Sequence, residues 1–318
     1  MKIVVLDGYT LNSGDNPWDS VAALGELIVY ERTLAHQVIE RATGAEIVLT
    51  NKTLLDEPTL AALPSLKFVS VLATGYNVVD VESARRHGMV VSNVPEYSTA
   101  SVAQHVFALL LAFVHRPERH DQMIRQGDWQ RCGDFCFWDA PLFELAGKRM
   151  GIVGFGRIGR RVGELAHALG MEVLACSTRP GSNPDYQPFV WRSLDEIFVE
   201  ADVVSLHCPL TPLNKGMVNR NRLATMKSNS IFINTARGGL VNEQDLADAL
   251  NDGVIAGAAL DVLSLEPPAE NNPLLTAKNC LITPHIAWAI REARQRLMRA
   301  TAANIAAYQN GKPINVVN

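Results

Sequence analysis

The sequence predicts an α/β fold: two parallel-sheet domains in tandem. Three observations carry that expectation. Short apolar runs of strand length alternate with helical patterns along most of the chain, and such alternation implies parallel strands joined by crossover helices. A Gly154-x-Gly156-x-x-Gly159 turn sits between a strand-like run and an amphipathic stretch, the context a dinucleotide fingerprint requires. The length of 318 residues corresponds to about two domains.

Taken in order, residues 2–6, 46–49, 67–72 and 89–91 read as short buried strands, with helical stretches near 34–43, 57–63 and 81–87. The run ending at Leu72 passes into Ala73-Thr74-Gly75-Tyr76, a turn at the C-terminal edge of a strand, where ligands bind in such sheets. From Ser98 a long helix is expected, with Val102, Val106, Leu109, Leu110 and Phe113 on one buried stripe. His115-Arg116-Pro117 ends or kinks it, because proline cannot donate to the preceding turn. Residues 127–143 hold Trp129, Phe135, Phe137, Trp138 and Phe143, which suit either a packed loop or a subunit contact.

The fingerprint follows. Ile158, Val162, Leu165 and Leu169 recur at helical spacing, Gly170 offers a left-handed stop, and residues 171–176 read as the next strand. Gly154 permits the tight turn, Gly156 lets backbone approach a pyrophosphate, and Gly159 lets helix and strand pack closely. The helix N-terminus adds unpaired N–H groups for the anion. Beyond it, Ser193-x-x-Glu196 is a capping box, residues 202–206 and 230–234 are strands, and Asn242 caps a helix through Leu250. Further strands are expected at 255–260 and 280–283, and one long helix from about 288 to 308.

Composition narrows the function. A net charge of -4 and a pI near 6.1 give no electrostatic reason to expect nucleic acid or an anionic membrane as partner. The longest apolar candidate, residues 106–114, falls far short of the roughly 18 residues a spanning helix needs. Met1-Lys2 leads straight into a strand-like run with no small-residue cleavage site, so no signal peptide is read and the cytoplasm is the expected compartment. The five cysteines include one close pair, Cys132 and Cys136, without CxxC or Cys/His ligand spacing. Reduced thiols are therefore expected, and no metal.

Three stretches place reactive groups at strand ends: Asn234-Thr235-Ala236-Arg237-Gly238, the segment from Asp261 through Glu266-Pro267, and Thr283-Pro284-His285-Ile286-Ala287. Arginine can grip a carboxylate with two parallel hydrogen bonds. Histidine beside a carboxylate is the usual proton shuttle. Singly, Arg237 suits a surface ion pair, His285 a core histidine and Glu266 a solvated charge. Together, beyond a dinucleotide turn, they favour catalysis.

The ordered motifs GFGRIG, SLHCPLT (beginning at Ser205), NTARGGLV, DVLSLEP and TPHIAW resemble those of the D-isomer-specific 2-hydroxyacid dehydrogenases, and the resemblance covers essentially the whole chain. The opening MKIVVLDGYTLN, Trp138 ahead of ELAGK and the HIAW tail most resemble the glycerate dehydrogenase/hydroxypyruvate reductase branch. The resemblance implies a Rossmann-type dinucleotide-binding domain, residues 98–288, inserted into a flavodoxin-like substrate domain, residues 1–97 and 289–318, with the cleft at their junction. It implies that Arg237 grips the substrate carboxylate, that His285 exchanges the proton, and that Glu266 holds and charges His285. The backbone of Ala73, Thr74 and Gly75 would bind the carboxylate, and Asp261 the nicotinamide carboxamide. Arg157 and Ile158 would face the pyrophosphate, and Cys208, Pro209 and Asn214 the adenosine. Thr235, Ala236 and Ala287 would surround the nicotinamide, with Thr99 near the cofactor. Gln104 stands where many members have glutamate. A small 2-oxo or 2-hydroxy acid is the implied substrate and a homodimer the implied assembly. A dinucleotide-binding corepressor scaffold, or a formate, phosphite or D-lactate dehydrogenase, is the alternative within the same fold.

Cofactor choice departs from the commonest pattern. NAD sites place an acid at the end of the second strand to bind the ribose 2′-OH. Here that strand ends in Cys176-Ser177-Thr178-Arg179, with Ser177 at the family's aspartate position. Two hydroxyls and a guanidinium suit a 2′-phosphate. NADP(H) is therefore expected in preference to NAD(H), the alternative being that Asp185 folds back to the ribose.

Overall fold

The computed structural model describes all residues, Met1–Asn318, and the chain divides into two compact units: Met1–Ser98 with Trp288–Asn318, and Thr99–Ala287. Each is a parallel sheet covered by helices, the α/β class the alternation predicts.

The first unit carries five strands, β1 (Lys2–Val5), β2 (Glu26–Val29), β3 (Ile47–Thr50), β4 (Phe68–Val71) and β5 (Val90–Ser92), in the order β2-β1-β3-β4-β5. That order is the flavodoxin-like one. Both faces of the inner strands are buried, which is why they read as unbroken apolar runs. Ile3, Val5, Ile47, Leu49 and Phe68 face one core with Leu297 and Ile305 of the last helix, while Val4, Val48, Val69 and Val91 face the other. That helix begins at Arg291 rather than at residue 288 and runs to Gln309. Asp56 and Asp80 cap two helices by accepting from Thr59 N and Ser83 N.

The second unit carries seven strands, β6 (Arg149–Val153), β7 (Glu172–Cys176), β8 (Phe189–Trp191), β9 (Val203–Leu206), β10 (Ile231–Asn234), β11 (Gly257–Leu260) and β12 (Cys280–Ile282). Their order, β12-β11-β10-β9-β6-β7-β8, is the doubly wound pattern with one strand added, and the order reverses between β6 and β9. Met150, Ile152, Val203, Ile231 and Ile233 meet the helices Thr99–His115 and Arg157–Ala168 on one face. Val204, Leu206, Phe232 and Leu260 meet the helix Glu243–Asn251 on the other. The expected caps form: Ser193 and Glu196 make a capping box, and Asn242 accepts from Asp245 N.

Several local expectations need correction. Leu169 is 40% exposed, because the helix it was to join ends at Ala168 and Gly170 turns the chain away at φ +75°. The edge strands β2 and β8 had no clear sequence signature. The aromatic segment does not pack inward as a whole: Trp129, Phe135 and Trp138 are exposed. His115 does end its helix. Arg116 takes a left-handed conformation at φ 49°, and Pro117 opens a new helix.

Candidate active site

Because every strand of the second sheet is parallel, their C-terminal ends share one edge, and the motifs leave the sheet there. Gly154 follows β6, Ser177 follows β7, Cys208 lies beyond β9, Arg237 beyond β10, Asp261 after β11 and His285 beyond β12. The switch between β6 and β9 puts the glycine turn at the crevice where such sheets bind ligands.

The turn is shaped for a close visitor. Gly154 has φ +97°, and a Cβ there would lie 2.6 Å from Cys208 N. A Cβ on Gly159 would lie 2.2 Å from Gly154 O, whereas one on Gly156 would have nothing within 4 Å. Gly154 and Gly159 are thus demanded by the protein's own packing, and the space beside Gly156 is left for something else. Gly156 precedes the helix Arg157–Ala168, and no side chain caps that N-terminus. Arg157 is exposed and Ile158 half-buried. Thr235 Oγ1 is a buried polar atom with no partner in the protein, a group that ordinarily has one. An anion-accepting helix start, an open glycine and an orphaned hydroxyl fit a nicotinamide dinucleotide.

The expected adenosine side is held by local bonds. Asn214 Oδ1 accepts from Thr211 N at 2.7 Å, and Asn214 Nδ2 donates to Pro209 O at 2.8 Å. Burial pushes the Cys208 thiol up to about 11 and the His207 imidazole down to about 3, so both line this region uncharged. Beyond β7, Ser177 Oγ accepts from Arg179 N at 3.3 Å; Thr178 and Arg179 are exposed, and so is Asp185.

His285 and Glu266 meet. His285 Nδ1 lies 2.6 Å from Glu266 Oε2. Glu266 Oε1 accepts from Leu263 N at 3.1 Å, so the carboxylate is aimed by its own turn. Glu243 aims that turn in turn, accepting from Ser264 N at 2.6 Å and Asn272 Nδ2 at 2.8 Å. Arg237 is half-buried, with Nη1 donating to Ala236 O at 2.7 Å. Its neighbour Gly238 presses on the same turn: a Cβ there would lie 1.9 Å from Leu263 C. The Arg237 and Glu266 segments are therefore in backbone contact.

His285 itself is strained, with φ 56° in the left-handed region, at a cost of about 1–2 kcal/mol for a non-glycine residue. The next two residues hold it there. Ile286 N donates to Asp261 Oδ1 and Ala287 N to Asp261 Oδ2, both at 2.9 Å. Asp261 is 1% exposed. Burial alone would raise its carboxyl, yet bonds from His105, Thr283 and the two backbone N–H groups outweigh it and hold it below the ordinary aspartate value. Sequence reading missed His105 and Glu243. The available signal was a histidine on the buried stripe of an apolar helix, between Val102 and Val106.

Of the remaining expected residues, Thr99 opens the first helix of this unit. Ala73, Thr74 and Gly75 belong to the first unit, beyond β4. There Thr74 Oγ1 donates to Val94 O at 2.9 Å and Asn93 Nδ2 to Thr74 O at 2.7 Å.

The fold and this edge define a dinucleotide-dependent oxidoreductase. Comparison with known proteins narrows the class. Residues 107–287 match the family described as D-isomer specific 2-hydroxyacid dehydrogenase, NAD binding domain. The chain is 50% identical to the hydroxypyruvate reductase of Blautia hydrogenotrophica, with 100% of both chains covered. It is 39% identical to the glycerate dehydrogenase of Methylorubrum extorquens, covering 99% of this chain and 98% of that one. Among solved structures it resembles the D-lactate dehydrogenase of Aquifex aeolicus complexed with NAD and lactic acid, at 28% identity and TM-score 0.86, covering 98% and 96%. The chain belongs to the D-isomer-specific 2-hydroxyacid dehydrogenase family.

Proposed function

We propose that the protein reduces a small 2-oxo acid of the hydroxypyruvate or glyoxylate type to its D-2-hydroxy acid, and runs the reverse reaction when product accumulates. The observation that carries this reading is the 2.6 Å contact between His285 Nδ1 and Glu266 Oε2, in the unit that also carries the glycine turn. The two matched relatives, a hydroxypyruvate reductase and a glycerate dehydrogenase, support the substrate class.

A nicotinamide dinucleotide held by this unit would supply hydride-transfer chemistry at C2 of the substrate. The protein supplies the rest. Glu266 accepts from Nδ1–H, which fixes the ring and leaves Nε2 as the nitrogen that delivers the proton to the carbonyl oxygen. In oxidation the same nitrogen removes it. Arg237 grips the carboxylate and polarises the carbonyl. Thr235, Ala236 and Ala287 would hold the nicotinamide. Asp261 Oδ2 accepts one bond from within the protein, from Ala287 N, and a carboxylate oxygen has capacity for a second, which suits the carboxamide. Arg157 and Ile158 would lie against the pyrophosphate.

The same proposal extends to cofactor preference, assembly and compartment. No acid stands at Ser177, and Ser177, Thr178 and Arg179 present hydroxyl and guanidinium groups beyond β7. We assign them to a 2′-phosphate, giving NADP(H) preference over NAD(H). Exposed Trp129, Phe135 and Trp138 support a homodimer formed through the 127–143 segment. No helix is long and apolar enough to cross a membrane, and all five cysteines are free, which suits the reducing cytoplasm. Initial rates with hydroxypyruvate, glyoxylate, pyruvate and 2-oxoglutarate, each with NADPH and NADH, test the reading. It predicts robust turnover of the first two; no turnover of any 2-oxo acid would overturn it.

A further inference from the structure

The strained turn that carries His285 is held from behind by a residue on another element. His105 lies on the helix Thr99–His115, and its Nε2 sits 3.0 Å from Thr283 Oγ1 and 3.4 Å from Asp261 Oδ1. Its side chain is 16% exposed and that of Asp261 0%. Thr283 Oγ1 is 2.5 Å from Asp261 Oδ1.

Counting protons settles who donates to whom. An ionised carboxylate only accepts, and a threonine hydroxyl has a single proton. Thr283 spends that proton on Asp261, so its oxygen accepts, and His105 Nε2 must be the donor. The chain of bonds is then directional. His105 donates to Thr283, Thr283 to Asp261, and Ile286 N and Ala287 N meet the same carboxylate from the other side. The turn between Thr283 and Ala287 is closed by its own short bond, His285 N to Thr283 O at 3.0 Å. Every group that fixes the left-handed His285 backbone thus converges on Asp261 or Thr283, and His105 is the side chain that orients both.

We propose that His105 is a positioning residue for the reaction: through Thr283 and Asp261 it holds the turn that aims His285. The proposal rests on the reading of His285 as proton donor. Without the Nε2–H donor, the Thr283 hydroxyl is free to rotate and Asp261 loses a partner. The turn then relaxes toward an unstrained backbone and Nε2 of His285 swings off line. Misalignment of that kind lowers kcat most; the nicotinamide contacts assigned to Asp261 and Ala287 loosen with the turn, while the glycine turn at the pyrophosphate is untouched.

The test is a cycle of purified full-length variants assayed for hydroxypyruvate reduction, with dinucleotide binding followed by fluorescence. His105→Leu is expected to lower kcat by about 10- to 100-fold, with a loss of dinucleotide affinity clearly smaller than the loss in kcat, because the glycine turn still holds the pyrophosphate. His105→Gln, which keeps a donor of similar reach, is expected to restore most of the loss. Thr283→Val, nearly isosteric, should reproduce it and serves if His105→Leu folds poorly. In a His285→Ala background, His105→Leu should cost nothing further, since residues acting through one group are non-additive. Equal losses in both backgrounds, or an unchanged kcat in His105→Leu and Thr283→Val, overturn the proposal. If His285→Ala itself keeps full activity, the proton-donor reading fails instead, and the two failures are distinguishable.

Discussion

Gly238 lies so close to Leu263 that a single added carbon would sit 1.9 Å from the Leu263 carbonyl carbon. This contact joins the loop bearing Arg237 to the loop bearing Glu266. Gly238→Ala must push the two apart, and overpacking against backbone costs about 1–3 kcal/mol. The expected outcome is a lower melting temperature together with a reduced kcat/KM for the oxo acid. A variant with wild-type melting and kinetics would show that the contact has no role in holding the site.

Arg237→Lys keeps the charge and loses the planar fork. Lysine offers a point charge where two parallel bonds are wanted, so KM for the oxo acid should rise and kcat fall, with kcat/KM down by about tenfold or more. Steady-state kinetics with hydroxypyruvate and glyoxylate check this; unaltered constants move the carboxylate anchor elsewhere.

The proposed preference for NADP(H) rests on Ser177 and Arg179 as contacts to a 2′-phosphate. On that proposal Arg179→Ala should remove a charge-assisted bond worth about 1.5–3 kcal/mol, a loss of roughly 10- to 100-fold in NADPH affinity. Ser177→Asp should move preference toward NADH by placing a carboxylate against the 2′-phosphate. The ratio of kcat/KM for the two cofactors is the measurement. A wild-type enzyme that favours NADH would support Asp185 as the ribose contact.

The Asp261 carboxyl is held below its ordinary value in the folded protein. A depressed acid contributes stability that is fully present above its unfolded value, about 3.9, and lost as pH falls through the folded one. Asp261→Asn should therefore be less stable than wild type at pH 7, by about 1–3 kcal/mol for a buried donor left unpaired. The gap should narrow below about pH 4. Thermal melts of both proteins from pH 3 to 8 check the sign; a gap that widens in acid would contradict it.

The inner strands were legible because both their faces are buried and they spell continuous apolar runs, as Ile47–Thr50 does. The caps at Ser193 and Asn242 were legible because their partners lie three residues on. The strand Glu26–Val29 was not: it pairs on one side only, and none of its residues is fully buried. Phe189–Trp191 is three residues long and sits among other aromatics. At the site, Arg237, Glu266 and His285 stood out by residue type and motif. His105 did not, since its meaning depends on Thr283, 178 positions away, and no local pattern encodes a contact at that separation.

His285, aimed by Glu266, is the group we propose delivers the proton in 2-oxo acid reduction. The most direct measurement is kcat for hydroxypyruvate reduction by His285→Ala under saturating dinucleotide, with dinucleotide affinity determined on the same preparation. A fall in kcat of about two to four orders of magnitude, with affinity nearly unchanged, is the expected result. Turnover close to wild type in a variant that binds dinucleotide normally would contradict it.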